Sequence, residues 1–453
     1  MTVLEGRSPH GSGDGRRSLL KKAKFPLVYF LVLCSLQTVW FIARVGPLTM
    51  PDPDIHALAT YALATGQSMN KTTQEKDRFG NLVKVQQVTG DSRYLHIDGR
   101  RGILATAAVE SSRVGDFGRQ GQEKGAERAA SIVTIPNSKH PNRSNQYFPL
   151  LYLPQATGMR VALWIHLPAY DGWQLSRVSN FLAFALIWGF AIVLAPRGRM
   201  LLAFIGALPL TVFMASSLMI DGTVMALSAL FAAMLVRCTW EGHRLSNAQL
   251  AGFAVVGMLL VCAKTVYSPI LLVVLALPRC TLTKHRKAWL SAIWVMMALL
   301  IFVPWYTNYS GTLAIANIGD NLRFTATHPL RVIAVILNNA FRVFAHLPQP
   351  VMAQVIAVSL IWLAMLAFYR SSTNTRGFRS LMPEPRYTAI AVMSGFITIS
   401  AMMLFLCLTW NNLYTLQGYL ISGFQERYLF PLLSLMVLSF ARSPQRTRSL
   451  QEA

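Results

Sequence analysis

Apolar runs long enough to cross a bilayer recur along this 453-residue chain, and they restrict its fold more than any other feature. A spanning helix needs about 20 consecutive apolar residues, and in hydrocarbon a helix satisfies its own backbone without help from water. Ten segments meet or approach that length: 25 to 43, 175 to 195, 200 to 218, 221 to 237, 248 to 265, 267 to 278, 288 to 306, 350 to 369, 388 to 409 and 427 to 441. The sixth and tenth are short. With 53% hydrophobic and 13% charged residues, the chain carries more apolar surface than one soluble core buries. The expected fold is an all-α polytopic membrane protein of about ten transmembrane helices.

Charge orients the spans. Lys and Arg number 42 against 19 Asp and Glu, a formal charge of +23. Such a balance fits either nucleic acid or an anionic membrane surface, and the positions of the cations exclude the first: they recur in short loops between apolar runs. With the N-terminus inside, the cytoplasmic loops are those holding Arg197 and Arg199, Arg237 and Arg244, Arg279 to Lys287, and Arg370 to Arg386. Both termini, 1–24 and 442–453, then fall in the cytoplasm as basic tails of a multi-pass cell-membrane protein. The first run follows Arg16, Arg17, Lys21, Lys22 and Lys24 as a signal sequence would, but no small-x-small cleavage pattern follows it, so it is expected to stay as the first span, 25–43. Two further apolar stretches, 147–167 and 329–346, would break the parity if they crossed. Their prolines, arginines, asparagines and histidines lay them flat on the outer surface, or fold them as re-entrant segments.

The segment after the first span differs in kind. Residues 46–146 contain ten of the nineteen acidic residues, with turn signals at Phe79-Gly80-Asn81 and Ile97-Asp98-Gly99 and an alternating stretch at Leu82-Val83-Lys84-Val85. The part from Arg113 to Arg128 has the composition of a flexible linker. Residues 44–174 are therefore expected to form one α/β extracytoplasmic loop with surface helices, ahead of a helical bundle over 175–441. The five cysteines, Cys34, Cys238, Cys262, Cys280 and Cys407, lie in or beside apolar runs and build no disulfide framework.

Ionisable groups near spans are costly, so their placement is informative. Directly after the first span comes Pro51-Asp52-Pro53-Asp54-Ile55-His56, then a short helical stretch ended by Gly66. Asp52, Asp54 and His56 are the catalytic candidates: such groups take a proton from a hydroxyl or bind a divalent cation. Equally, Asp52 and Asp54 can simply cap the helix. The substrate-binding candidates on the same outer edge are Arg177, Asp221, Lys264, Tyr267, Arg427 and Tyr428. Arg grips phosphate in a bidentate manner and Lys as a point charge, while the bland alternatives are snorkelling and, for Arg427, a local pair with Glu426. No P-loop, G-x-G-x-x-G, G-x-S-x-G or paired CxxC is present, and the cytoplasmic loops are too short for a nucleotide-binding domain.

These residues resemble a family of bacterial predicted membrane proteins, domain of unknown function family 2142, which look like glycosyltransferases of the GT-C fold. The resemblance runs from about Pro51 to Leu433. It is carried by Pro51-Asp52 with His56, Tyr147-Phe148-Pro149-Leu150-Leu151-Tyr152-Leu153-Pro154-Gln155, Arg177 with Asn180, Ala215-Ser216-Ser217 with Asp221, Lys264 with Tyr267 and Pro269, and Gln425 with Arg427-Tyr428 before Pro431. The family usually reads Pro-Asp-Glu before its His, where this chain has Pro53 in the Glu position and Asp54 one place later. A Gly commonly precedes its Arg-Tyr, where this chain has Glu426.

The resemblance implies a GT-C-like arrangement, a polyprenyl-phosphate sugar as donor and an essential aspartate in the first outer loop. The expected function is a glycosyltransferase at the extracytoplasmic face, moving sugar from that donor to a cell-envelope glycan or protein. Its partners would be membrane lipid, the polyprenyl-phosphate sugar and the glycan acceptor, with no nucleic acid; the cofactor is open, a divalent metal included. A transporter or flippase of lipid-linked glycans, which would line a midplane path and often shows internal repeats, is the first alternative. A non-catalytic subunit of an envelope assembly complex is the second.

Overall fold

The computed structural model describes residues 12–48, 50, 52–76, 82–95, 138–142, 147–242, 244–309, 318–345, 347, 349–371, 385–416 and 421–441. The turn signals at 79–81 and 97–99 and the linker-like stretch 113–128 lie outside these residues, as do most of the two basic tails.

Among the described residues six helices are long and apolar enough to cross a membrane. They belong to α1 (Ser12–Arg44), α5 (Ala169–Leu194), α8 (Asp221–Glu241), α10 (Lys284–Tyr309, with a π-helical turn at Ala298–Phe302), α13 (Gln349–Ser371) and α14 (Pro385–Thr409). Among the described residues the structure thus gives six helices of spanning length where ten are expected, and the four other runs take shorter or broken forms for local reasons. The run 200–218 is split by Pro209, which holds Leu208 extended and separates α6 (Arg199–Gly206) from α7 (Pro209–Ala215). The run 248–265 becomes α9 (Asn247–Ala263), opened by a capping box in which Ser246 and Gln249 exchange hydrogen bonds. The run 267–278 is wound as a 3-10 helix over Thr265–Ala276 with Pro269 inside it. The last run alternates 3-10 turns with one short α-helical turn, α15 (Phe430–Leu433). The stretches expected to lie flat contain α4 (Leu153–Trp164) and α12 (Pro329–Ala345), which follows the short α11 (Ile318–Thr327), and both are under 18 residues.

The outer faces of the long helices remain apolar. Phe25, Val28, Val32, Leu36 and Val39 of α1 are exposed, as are Leu360, Leu363 and Phe368 of α13. Exposed apolar stripes of this length are what lipid tails cover. Inward, α1 and α5 interlock through Phe30, Phe184 and Trp188, and the Trp188 indole donates to the Leu202 carbonyl at 2.8 Å. All five cysteines are free thiols.

Hydrogen bonds sort the loops into two ends of the bundle. At one end Arg177 ties Val45 to Ser216, and the side chains of Asp52, Asp221, Lys264 and Arg427 meet. At the other, Trp240 donates to Phe440, Leu245 to Thr281, and Lys287 to Leu275. The residues expected on the outer edge gather at the first end, and the cation-rich loops at the second.

Above the first end stands a three-stranded antiparallel sheet in the order β1 (Thr72–Lys76), β2 (Leu82–Gly90), β3 (Ser138–Asn142). Thr73 faces Val85 across the first pair and Val88 faces His140 across the second, so the expected strand at 82–85 is the start of β2. The sheet is fixed to α2 (Pro53–Ala64): Gln67 bonds Thr89 through both ends of its amide, and Tyr61 stacks on Tyr94 of the short α3 (Ser92–Leu95). Lys84 and Thr72 reach the last turn of α10 through the carbonyls of Thr307 and Asn308.

Candidate active site

The site begins with α2. Asp52 is its N-cap residue, but its backbone is left-handed, with φ 52° and ψ 53°, and its side chain makes no capping bond. Left-handed Asp is tolerated at a cost, and such strain persists where the surroundings over-determine it. Here the carboxylate is turned away from the helix toward Arg427, whose Nη2 donates to Asp52 Oδ2 at 3.0 Å. Arg427 is buried while Asp52 keeps 39% of its side chain exposed, so one oxygen-bearing group of the pair opens to a ligand. Asp54 lies in the first turn of α2, and its side chain is outside the described residues.

A second ion pair sits behind the first. Asp221 opens α8, where a carboxylate suits the positive end of the helix dipole. Lys264 Nζ donates to its Oδ1 at 2.6 Å, and Arg427 Nε stands 3.9 Å from its Oδ2. The four groups therefore alternate as Asp52, Arg427, Asp221 and Lys264, formally neutral. The balance is incomplete in hydrogen bonds, however: among the described residues Arg427 Nε and Nη1 and Asp221 Oδ2 are buried with no hydrogen bond of good geometry. Buried polar atoms left this way are costly, and they mark where a ligand or ordered water completes the set.

Aromatic rings wall the cluster. The Lys264 ammonium lies 4.9 Å from the centre of the Tyr428 ring and 5.5 Å from that of Tyr147, and Arg427 also faces Tyr428. Tyr267 donates from its hydroxyl to the Tyr428 carbonyl at 3.1 Å, fixing the turn that carries Arg427. His56 stacks on Tyr147 and holds its Nδ1 2.7 Å from the Tyr152 hydroxyl. Burial pushes its pKa down to about 4, against the opposing pull of Asp221 and Asp52, so the imidazole is neutral at physiological pH. Burial also lifts the Tyr147 phenol well above its ordinary range, so it stays protonated.

Asp221 is positioned by a clamp on the preceding turn. Asn180 donates to the carbonyls of Ser217 and Met219, Gln155 to that of Met219, and Arg177 to that of Ser216 at 2.6 Å. Three side chains from α4 and α5 thus use up the carbonyls of a short loop whose backbone has no other secondary structure to satisfy it. Gly222 completes the fit: a Cβ there would stand 2.5 Å from the Ala215 Cα.

Among the sequence candidates, Asp52, Asp221, Lys264 and Arg427 are joined by ion pairs, with His56, Tyr267 and Tyr428 packed around them. Arg177 is engaged elsewhere, by the carbonyls of Val45 and Ser216 and by Gln174. The ion pair of Arg427 runs to Asp52 and not to its neighbour Glu426. Sequence reasoning passed over Tyr147, Tyr152 and Gln155 as site residues. Their signal was polar tips at 147, 152 and 155 in an otherwise apolar run. Among the described residues no group of three or more His, Cys, Asp or Glu side chains is placed to hold a metal ion.

Over residues 36–436 the chain matches a family described as predicted membrane protein (DUF2142). No curated protein and no solved structure matches it.

Proposed function

This chain belongs to the DUF2142 family of predicted membrane proteins, and from that premise we propose that it is a membrane glycosyltransferase of GT-C-like design. It takes a sugar from a polyprenyl-phosphate donor and passes it to a cell-envelope glycan or protein at the extracytoplasmic face. In this reading all ten apolar runs cross the bilayer, both termini are cytoplasmic, and the end of the bundle bearing Asp52 faces outward under the positive-inside rule.

The observation that carries the reading is the incomplete pairing of Arg427. A buried guanidinium with two nitrogens lacking hydrogen bonds among the described residues, beside a lysine and a half-exposed carboxylate, is suited to a phosphate oxygen on one side and a hydroxyl on the other. When the donor phosphate binds, Arg427 turns part of its fork from Asp52 to the phosphate. The acceptor oxygen then attacks the anomeric carbon and its proton passes to Asp52. The bond between that carbon and the phosphate oxygen breaks, and the electron pair leaves on the phosphate, where Arg427 and Lys264 stabilise it. Neutral His56 and Tyr152 form a hydrogen-bonded wall that holds α2 in place.

Mass spectrometry of envelope glycans from cells carrying Asp52→Asn tests this. A missing sugar with the protein still in the membrane supports the proposal, and an unchanged glycan removes Asp52 from the reaction. Movement of the lipid-linked sugar across vesicles with no new covalent product would place the chain among flippases instead.

A further inference from the structure

A second polar site lies at the opposite end of the bundle. A cavity of about 530 Å³ opens between Lys22 and Pro26 of α1, the turn before α6, the second half of α13 and the C-terminal run. Lys22, Arg197 and Arg199 supply its cations, and Ile361, Met365 and Phe368 of α13 form an apolar wall.

Arg199 is the informative residue. Only 7% of it is exposed, yet its Nε and Nη2 have no hydrogen-bond partner among the described residues. Among the described residues, the charges that bear on it are those of Arg197 and Arg237, both positive. A buried guanidinium among like charges is unfavourable unless an anion reaches it. The turn holding it is rigid: Gly198 has φ 72°, and a Cβ there would stand 2.5 Å from Val437 Cγ2. The first turn of α6, whose amides have no intrahelical acceptor, lines the same cavity. The wall on the other side continues along α13 into the exposed apolar stripe of Leu360, Leu363 and Phe368. A head-group-sized basic cavity that runs into a lipid-facing stripe suits an anion carried on an acyl chain.

We propose that this cavity binds the phosphate of an anionic phospholipid from the leaflet at the basic end, with an acyl chain against α13. The site is separate from the cluster around Asp221 and does not depend on the reaction proposed there. Native mass spectrometry of the detergent-solubilised full chain, titrated with dioleoylphosphatidylglycerol, dioleoylphosphatidylcholine or inorganic phosphate, provides the test. Retention of phosphatidylglycerol over phosphatidylcholine, weakened roughly tenfold in Arg199→Gln and partly restored in Arg199→Lys, is the expected result. Because a buried arginine can also support folding, Ala364→Trp, which fills the cavity from its exposed side, is measured in parallel and should weaken the same lipid. Equal retention of both lipids, or wild-type retention in both Arg199→Gln and Ala364→Trp, overturns the proposal. Tight binding of inorganic phosphate that displaces phosphatidylglycerol would also overturn it, by showing that the site takes a free anion.

Discussion

Asp52 and Arg427 stand 375 positions apart in the chain and 3.0 Å apart in space. Their pairing ties two distant parts of the bundle together: it joins the start of α2 to the 3-10 turn at Glu426–Leu429. It also accounts for the left-handed backbone at Asp52, because a residue that capped α2 in the ordinary way would point its carboxylate at the helix amides and not at Arg427.

Since Asp52 makes no capping bond, replacing it should not bring the capping loss of about 0.5–2 kcal/mol. Asp52→Gly also relieves a left-handed conformation that costs on the order of 1–3 kcal/mol. The strain relieved offsets part of what losing the ion pair to buried Arg427 costs, so the expected outcome is a melting temperature close to that of the parent protein together with loss of sugar incorporation. A marked drop in melting temperature would show that Asp52 serves the fold.

The Asp221 and Lys264 pair is buried, so removing one partner strands the other. Lys264→Met should destabilise the detergent-solubilised protein by about 3–5 kcal/mol, and adding Asp221→Leu should restore much of that loss. Additive losses in the double-mutant cycle would mean that the two charges are not coupled.

Gly222→Ala should be severe although it adds one methyl. Its nearest obstacle is the backbone of Ala215, at 2.5 Å from Cα and 2.9 Å from N, which cannot swing aside as a side chain would. The start of α8, and Asp221 with it, must shift, at a cost above the 1–3 kcal/mol typical of overpacking. Thermal denaturation checks the stability, and a parental melting curve would show that the turn yields.

His56 makes stability depend on pH in a defined direction. Its pKa falls from 6.5 unfolded to about 4 folded, so the folded state resists protonation. The contribution is complete above pH 6.5 and is lost as the pH falls toward 4. His56→Gln should therefore flatten the fall in melting temperature between pH 6.5 and 4; the same slope in parent and variant would assign the acid sensitivity to other groups.

The length and spacing of the apolar runs were enough to read a helical membrane protein, because hydrocarbon accepts few backbone conformations and the required length is fixed by bilayer thickness. The grouping of loop cations and outer-edge polar residues at opposite ends was legible for a similar reason, since charge placement depends only on the order of crossings. The broken spans were not. Pro209, Pro269 and Pro431 are visible in the sequence, but whether each ends a helix, winds it into 3-10 form or is absorbed depends on which neighbours satisfy the freed backbone groups.

The candidate site divides in the same way. The sequence by itself determined which ionisable residues stand beside apolar runs, and these are few because burying a charge without a partner is so costly. Only the tertiary structure decided their roles: Asp52 faces Arg427, Asp221 takes Lys264, Arg177 is drawn into holding the loop before α8, and Tyr147 and Tyr152 enclose His56. Ion pairs and hydrogen bonds act over about 3 Å, and only the folded bundle brings residues from distant segments within that range.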